Sequence, residues 1–206
     1  TDVHGVVVKP PTFTAGRRYP ALLRIHGGPN GQDELSFNFE REPFAAHGYV
    51  VIAVNYRGSN GRGSAFQKAI YADWGNKEVV DLLGAMDHSE RLGFVDPDRL
   101  GIGGWSYGGF MTAYALTHSR SFTMGIAGAP VTDWRNYDSI YTERVMLTPA
   151  HNEDGYRDTS INRAAKDLHG QLLLIHGTID DNVHPQNSLQ FAYELRDTPI
   201  KVNAAD

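Results

Sequence analysis

The sequence predicts an α/β domain with a mostly parallel sheet, because short apolar runs alternate along the chain with helical patterns. Most of these runs are continuously apolar, which is typical of strands that are buried on both faces. One run leads directly into a glycine-rich turn and then a helix. With 206 residues, the chain is long enough for one sizeable domain with its own core, and we assign residues 1–206 to it.

The individual elements follow from the same patterns. The predicted strands cover residues 6–8, 19–25, 49–55, 99–103, 122–128, 171–176 and 200–203. The predicted helices cover residues 37–47, 73–92, 110–117 and 185–195. In the second of these helices, an apolar stripe formed by Val79, Val80, Leu82, Leu83 and Met86 is expected to face the core. This order of strands and helices places helices on both faces of the sheet.

The turn over residues 104–109 has the sequence GWSYGG and connects a strand to a helix. It contains the G-x-S-x-G pattern, in which small residues two before and two after the serine allow a very tight turn. The pattern predicts an α/β-hydrolase fold with Ser106 as an exposed nucleophile, and with the backbone N–H of Tyr107 able to stabilise an oxyanion. The alternative is a glycine-rich turn with a purely structural role.

The loop HGGP at residues 26–29 follows a predicted buried strand. In α/β-hydrolases this loop supplies the second oxyanion donor, and we predict that the N–H of Gly28 is this donor. His26 precedes Ser106, whereas the order in this fold is serine, acid, histidine. We therefore interpret His26 as a structural side chain.

Two carboxylates follow the last clear buried strand, at Asp180 and Asp181. A carboxylate on a loop after a late strand is where the triad acid of this fold belongs. Its role is to hold the catalytic histidine in the right tautomer. The alternative is that these residues cap the helix predicted over 185–195, since acidic side chains favour a helix N-terminus.

An aromatic stretch follows the predicted strand over 122–128, with Trp134, Tyr137 and Tyr141 spaced as on one face of a helix. One interpretation is a stripe of core residues. The other is a pocket wall, because open α/β sheets bind ligands beyond the carboxyl ends of their strands.

Composition narrows the classes of function. The net charge of −5, with no basic block, argues against nucleic acid or an anionic membrane as partner. The sequence contains no run of 18 apolar residues, so it predicts no membrane-spanning helix. The chain has no cysteine, which excludes a thiolate metal site and is compatible with a cytoplasmic, periplasmic or secreted location. The glycine-rich loop over 56–63 lacks the P-loop pattern, and we expect no metal and no cofactor.

Three motifs in order, GWSYGG at 104–109, DSIYTER at 138–144 and HGTIDDNVH at 176–184, resemble the catalytic domain of the prolyl oligopeptidase family, closest to its dipeptidyl peptidase IV type. The resemblance implies a serine exopeptidase that forms an acyl-enzyme and releases N-terminal dipeptides with proline or alanine at the second position. It also implies a short peptide substrate, an upstream β-propeller in the same parent chain, and a parent protein compatible with a homodimer.

The resemblance also implies roles for particular residues. It selects Asp180 over Asp181 as the acid that orients the base of Ser106. The residues that match the substrate pocket of the family are Tyr137, Tyr141, Trp134, Val131, Val183 and, contacting the substrate carbonyl, Asn182.

The chain departs from the dipeptidyl peptidase IV pattern in two ways. His26 stands where that type usually has a tyrosine, and HGGP is instead similar to the acylaminoacyl-peptidase branch. The catalytic histidine is expected beyond Asp206, because His184 matches a non-catalytic histidine of the family. We therefore expect a domain truncated at its C-terminus and nearly inactive alone. The alternatives are a carboxylesterase on the same fold and a non-catalytic folded fragment.

Overall fold

The computed structural model describes residues 2–196 and 198, and the backbone of residues 202–205. Its strands are β1 His4–Val8, β2 Tyr19–Ile25, β3 Val50–Asn55, β4 Val95–Trp105, β5 Met124–Gly128, β6 Gln171–Ile175 and β7 Val202–Ala205. Its α-helices are α1 Glu42–Ala46, α2 Ser64–Gln67, α3 Asn76–Arg91, α4 Tyr107–His118, α5 Ser139–Met146, α6 Glu153–Asp158, α7 Ile161–Ala164 and α8 Gln186–Leu195. Ile200 and Lys201, which belong to the predicted last strand, lie outside the described residues.

The strands form one seven-stranded sheet in the order β1-β3-β2-β4-β5-β6-β7. Only β1, at the edge, runs antiparallel to its neighbour, and the other pairs described are parallel. The central strands are rich in valine, isoleucine and alanine and are almost completely buried, as the continuous apolar runs predict. The prediction of a mostly parallel α/β sheet is confirmed.

Helices cover both faces of this sheet. The connection from β2 to β3 runs towards one edge, and the later connections from β3 onwards run towards the other. Because such crossovers are right-handed, α1 lies on one face and α3, α4 and α8 lie on the opposite face. The central helix is α4, which contacts β4, β5, α3 and α7 and whose residues 107–117 are all buried.

Helix α3 differs from its predicted pattern. The side chain of Val80 is 60% exposed, so this part of the predicted apolar stripe is wrong. The helix instead buries Glu78 and Asp81 beside Leu82 and Met86. Asp81 is partnered by Arg57, whose Nε donates to its Oδ2 over 2.9 Å. The polar groups that make this burial favourable come from other parts of the chain, so the periodicity of the helix sequence does not reveal them.

Candidate active site

The turn between β4 and α4 holds Ser106 in strained backbone. Its φ of 58° and ψ of −118° lie in a region that residues other than glycine rarely adopt, at a cost of roughly 1–3 kcal/mol. Hydrogen bonds on both sides fix the turn: the N–H of Ser106 donates to the carbonyl of Gly128 over 2.9 Å, and Phe110 N–H donates to the carbonyl of Ser106 over 2.9 Å. The serine remains half-buried at the carboxyl edge of the sheet.

The glycines of the turn are required by close backbone approaches. A Cβ on Gly104 would lie 2.5 Å from the carbonyl oxygen of Ile25, and one on Gly108 would lie 2.3 Å from the same oxygen. A Cβ on Gly109 would lie 2.3 Å from the carbonyl oxygen of Gly128. Real Cβ atoms do not approach backbone so closely. The turn therefore packs α4 directly against the ends of β2 and β5.

The N–H of Tyr107 and the loop after β2 border the serine. Tyr107 is the first residue of α4, so its N–H has no acceptor within the helix. The loop after β2 lies alongside, since a Cβ on Gly27 would be 3.8 Å from the Cβ of Ser106. Gly28, the next residue, has a φ of +123°, which favours glycine, and its carbonyl accepts a hydrogen bond from the hydroxyl of Tyr141. Tyr107 thus lies in the turn and Gly28 in the loop beside it, and their part in oxyanion binding stays a prediction.

His26 is held within the loop that it begins. Its Nε2 lies 2.8 Å from the hydroxyl of Ser59, and its Nδ1 lies 2.8 Å from the carbonyl of Gly27. Its ring stacks on Tyr56 with 4.4 Å between centroids, and the Tyr56 hydroxyl donates to its carbonyl over 2.8 Å. Burial lowers the pKa of His26, which favours the neutral ring. These contacts agree with a structural role.

The aromatic residues after β5 cluster, although they do not share one helix. Trp134 lies in a 3₁₀ turn over Trp134–Asn136, and α5 begins only at Ser139, where the side chain of Asp138 caps the N–H of Tyr141. The expected single helical face is therefore wrong. The rings still meet: Tyr137 and Tyr141 pack edge to face with 5.2 Å between centroids, and Trp134 lies 5.9 Å from Tyr137 and 6.4 Å from Tyr141.

The six predicted pocket residues differ in exposure. Tyr137 and Tyr141 are half-buried and Asn182 is exposed, and the hydroxyl of Tyr137 donates to Asn182 Oδ1 over 2.8 Å. The structure buries Trp134, Val131 and Val183. The two tyrosines and Asn182 thus offer their own surface to a ligand, and the buried three support the wall from behind. Their roles in binding stay a prediction.

The loop after β6 holds Asp180 through local hydrogen bonds. Its Oδ1 accepts from the N–H of Asn182 over 3.0 Å and of Val183 over 2.9 Å, and its side chain is 20% exposed. Its Oδ2 lies 3.6 Å from Nε2 of His176. Asp181 is exposed. Of the two candidate acids, the structure fixes the orientation of Asp180.

Both nitrogens of His176 are engaged in the same loop. Its Nδ1 lies 2.6 Å from the hydroxyl of Ser188 in α8, and its Nε2 lies 2.7 Å from the carbonyl of Val183. The ring is buried and connects the end of β6 to the start of α8. His184, which follows the acid, is exposed and accepts from the N–H of Gln186 over 3.2 Å.

Ser106 and Asp180 lie at the same edge of the sheet, but not in contact. They follow β4 and β6, which are separated by β5. Two interstrand spacings place these strand ends about 10 Å apart, so a group that bonds to both must lie between them. Among residues 2–196 and 198, no histidine hydrogen-bonds to the hydroxyl of Ser106. No group of three metal-binding side chains and no helix of membrane-spanning length and polarity occurs in the described part of the chain.

One buried carboxyl below the turn is absent from the sequence prediction. Glu78 in α3 accepts a hydrogen bond of 2.5 Å from the hydroxyl of Tyr107, the residue after Ser106. Burial raises the pKa of Glu78 to about 7 and raises the pKa of the Tyr107 hydroxyl. The one signal in the sequence is that Glu78, Leu82 and Met86 are spaced four residues apart, on one helix face.

The chain is similar in sequence to a family of known peptidases. A model described as the prolyl oligopeptidase family matches residues 35–205. A protein named "Probable dipeptidyl-aminopeptidase B" from Tuber melanosporum is 44% identical over 94% of this chain and 22% of its own length. "Dipeptidyl-aminopeptidase B" from Aspergillus niger is 41% identical over 91% of this chain and 21% of its own length. The chain thus spans about a fifth of the length of these relatives.

Solved structures of two kinds of peptidase resemble the chain. Dipeptidyl peptidase 4 of Porphyromonas gingivalis superposes with a TM-score of 0.93 and 42% identity, over 98% of this chain and 29% of that one. An acylaminoacyl peptidase of Pyrococcus horikoshii superposes with a TM-score of 0.92 and 31% identity, over 98% of this chain and 34% of that one.

Proposed function

The chain belongs to the prolyl oligopeptidase family, and from this premise we propose that it is the main part of the catalytic domain of a serine peptidase. The observation that carries the proposal is the strained turn at Ser106, which is followed by the first N–H of α4, that of Tyr107, and lies beside the loop of Gly27 and Gly28. Strain of this kind persists where the surrounding structure enforces it, and it is typical of functional sites.

In the proposed reaction, the Oγ of Ser106 attacks the scissile carbonyl while a histidine accepts the hydroxyl proton. The N–H groups of Tyr107 and Gly28 stabilise the oxyanion. The C–N bond then breaks, the leaving amine takes the proton from the histidine, and an acyl-enzyme remains on Ser106. Water repeats these steps to release the acid and restore the serine.

We place the histidine in the segment of the parent protein beyond residue 206. Strand β7 supports this placement, because it runs parallel to β6 with Ala205 opposite Ile175. A segment that follows β7 therefore starts at the edge of the sheet where Asp180 and Ser106 lie. Asp180 would orient this histidine. Without it, the 206-residue chain is expected to hydrolyse peptides several orders of magnitude more slowly than the parent protein.

The proposed substrates are short peptides, from which a dipeptide with proline or alanine at the second position is released. Tyr137 and Tyr141 would contact the apolar side chain, because paired aromatic faces bury a rigid ring at little entropic cost. Trp134, Val131 and Val183 would support this wall, and Asn182 would contact a substrate carbonyl. The names of the relatives, which are dipeptidyl-aminopeptidases, support dipeptide release.

The relatives are more than four times as long as this chain. We propose that the parent protein carries a β-propeller upstream, which limits access to short peptides, and that it forms a homodimer. Size-exclusion chromatography of the parent protein with light scattering tests the homodimer, and a monomeric mass would contradict it.

A substrate comparison tests the peptidase function. The parent protein is assayed with an Ala-Pro anilide and with a short-chain ester, and Ser106→Ala serves as the control for chemistry at the turn. We expect cleavage of the anilide with release of the dipeptide, and loss of this activity in the variant. Cleavage of the ester alone would instead indicate a carboxylesterase on the same fold.

A further inference from the structure

Glu78 is a carboxyl group without solvent-exposed surface, which is costly unless it has partners. Its Oε1 accepts two hydrogen bonds, from the hydroxyl of Tyr107 over 2.5 Å and from the N–H of Gly75 over 3.1 Å. Gly75 directly precedes α3, and Tyr107 is the first residue of α4. A single oxygen atom therefore ties together the starts of two helices.

Tyr107 connects Glu78 to Ser106, because its hydroxyl bonds to Glu78 and its backbone directly follows Ser106. Its backbone N–H borders Ser106, whereas its ring lies in the core, 5.5 Å from the ring of Trp74 and 5.7 Å from that of Trp134 between centroids. The aromatic neighbours restrict the position of the ring. The bond to Glu78 adds the one directional contact at the far end of the side chain.

Resting on the proposed function, we propose that Glu78 is a positioning residue for the oxyanion site. Through the hydroxyl of Tyr107 it fixes the peptide between Ser106 and Tyr107, and with it the direction of the Tyr107 N–H. The backbone of Ser106 is strained, so it relaxes unless neighbouring contacts hold it. An oxyanion donor is effective only when it points at the position that the oxyanion will occupy.

The link does not require a charge on Glu78. Besides burial, the hydrogen bonds from Tyr107 and from the N–H of Gly75 and the negative charge of Asp73 influence the pKa of Glu78. The charge of Glu78 in turn raises the pKa of Tyr56, Tyr114 and Arg57. Burial raises the pKa of Glu78 to about 7, so both protonation states occur near neutrality. A proton on Oε2 leaves Oε1 free to accept both hydrogen bonds. A glutamine, which keeps one such oxygen, is therefore expected to maintain the link.

The test uses the full-length parent protein with Glu78→Ala, Glu78→Gln and Tyr107→Phe, and with Asp87→Ala on the exposed face of α3 as control. Active sites are counted with a fluorophosphonate, so that kcat refers to correctly folded protein. We expect Glu78→Ala to lower kcat by roughly tenfold or more with KM within about twofold, because oxyanion contacts form in the transition state. Glu78→Gln should recover most of this loss.

Tyr107→Phe distinguishes loss of the hydrogen bond to Glu78 from a general loss of folding, because it keeps the ring and removes only the hydroxyl. It should lower kcat as Glu78→Ala does, and the double variant should lose little more kcat, since both substitutions remove the hydrogen bond between Tyr107 and Glu78. The proposal is overturned if these variants reduce only the number of titratable sites and leave kcat per site unchanged. If Glu78→Ala does not fold, Tyr107→Phe alone gives the same decision.

The proposed function and this inference fail in different ways. A parent protein that cleaves the ester and not the anilide is no peptidase, and the kcat values for the ester still decide the role of Glu78. A parent protein that cleaves the anilide with the same kcat in all variants retains its function and contradicts the positioning role. One that cleaves neither substrate overturns both.

Discussion

The two halves of the candidate site are built in different ways. At the turn of Ser106, backbone packs on backbone: Gly104 and Gly108 lie against the end of β2 so closely that neither has room for a side chain. Tyr107 below them is completely surrounded by core residues. The geometry of this half is set by the packing of α4 on the sheet.

At the loop of Asp180, short-range hydrogen bonds replace packing. The carboxylate accepts from two N–H groups within three residues of itself. Its neighbour Ile179 is 94% exposed, and Gly177 has open space around the position of a Cβ. His176 connects this loop to α8 through Ser188, and Asn182 connects it to Tyr137 of the pocket wall.

Stability and chemistry are therefore coupled at the turn of Ser106 and separable at the loop of Asp180. A change at the turn disturbs the core, so activity and folding are lost together. A change at the acid loop that keeps the local hydrogen bonds removes chemistry and leaves the fold intact. Four substitutions test this difference between the two halves.

The largest effect is expected for Asp180→Asn in the parent protein. The amide oxygen can still accept from Asn182 and Val183, so the melting temperature should hardly change. An amide holds the histidine in the wrong tautomer, and kcat should fall by about 10⁴-fold. Steady-state kinetics and calorimetry measure both. Asp181→Asn is the matched control with unchanged kcat, and the reverse result would assign the acid to Asp181.

The second largest effect is expected for Gly108→Ala, and it should appear in the stability of the domain. Its Cβ would lie 2.3 Å from a backbone oxygen of Ile25, which cannot move without displacing β2. We expect a loss of about 3 kcal/mol or more, measured from the transition of this domain in the parent protein. Gly177→Ala, in the acid loop, should cost under about 1 kcal/mol. Equal costs for the two would contradict the contrast.

Glu78→Gln tests the core below the turn through the pH dependence of the free energy of unfolding. Burial raises the pKa of this carboxyl from 4.5 to about 7, so the folded state binds its proton more tightly than the unfolded state. The stabilisation that Glu78 gains from binding this proton in the folded state is therefore fully present below pH 4.5 and is lost as the pH rises to about 7. Relative to wild type, the glutamine variant should be more stable at pH 8 than at pH 5, by up to about 3 kcal/mol. Denaturant unfolding at the two pH values measures this difference, and a pH-independent difference would contradict it.

The smallest effect is expected for Tyr137→Phe, which removes the contact between the pocket wall and the acid loop. The hydrogen bond to Asn182 is partly exposed to water, so its loss should cost no more than about 1 kcal/mol. The ring remains, and we expect KM for the anilide to rise by roughly two- to fivefold with kcat nearly unchanged. A large loss of kcat would mean that the two halves are coupled more strongly than their contacts indicate.

Much of this architecture could be predicted from the sequence, because it depends on local patterns. Continuous apolar runs predict the parallel sheet, and the spacing of Gly104, Ser106 and Gly108 predicts the tight turn. The family resemblance, drawn from three short motifs, is confirmed by the match over residues 35–205. The glycine spacing can be recognised in the sequence, although the carbonyl of Ile25 that requires Gly104 and Gly108 belongs to a distant strand.

The remainder depends on contacts between distant residues. The burial of Glu78 needs Tyr107, which lies 29 positions away, and the burial of Asp81 needs Arg57, 24 positions away. A count of apolar residues assigns both carboxylates to the surface and places Val80 in the core, where it is not. The bond from Tyr141 to Gly28, which joins the pocket wall to the oxyanion loop, spans 113 positions and has no local signal at all.

We propose that Ser106 is the nucleophile of an acyl-transfer site. The most direct test is to treat the parent protein with a fluorophosphonate and to locate the adduct by peptide mass spectrometry. We predict a single phosphonylated residue, Ser106, with activity on the Ala-Pro anilide lost in proportion to labelling. Labelling of a different residue, or full activity in a protein with Ser106 modified, would contradict this role of Ser106.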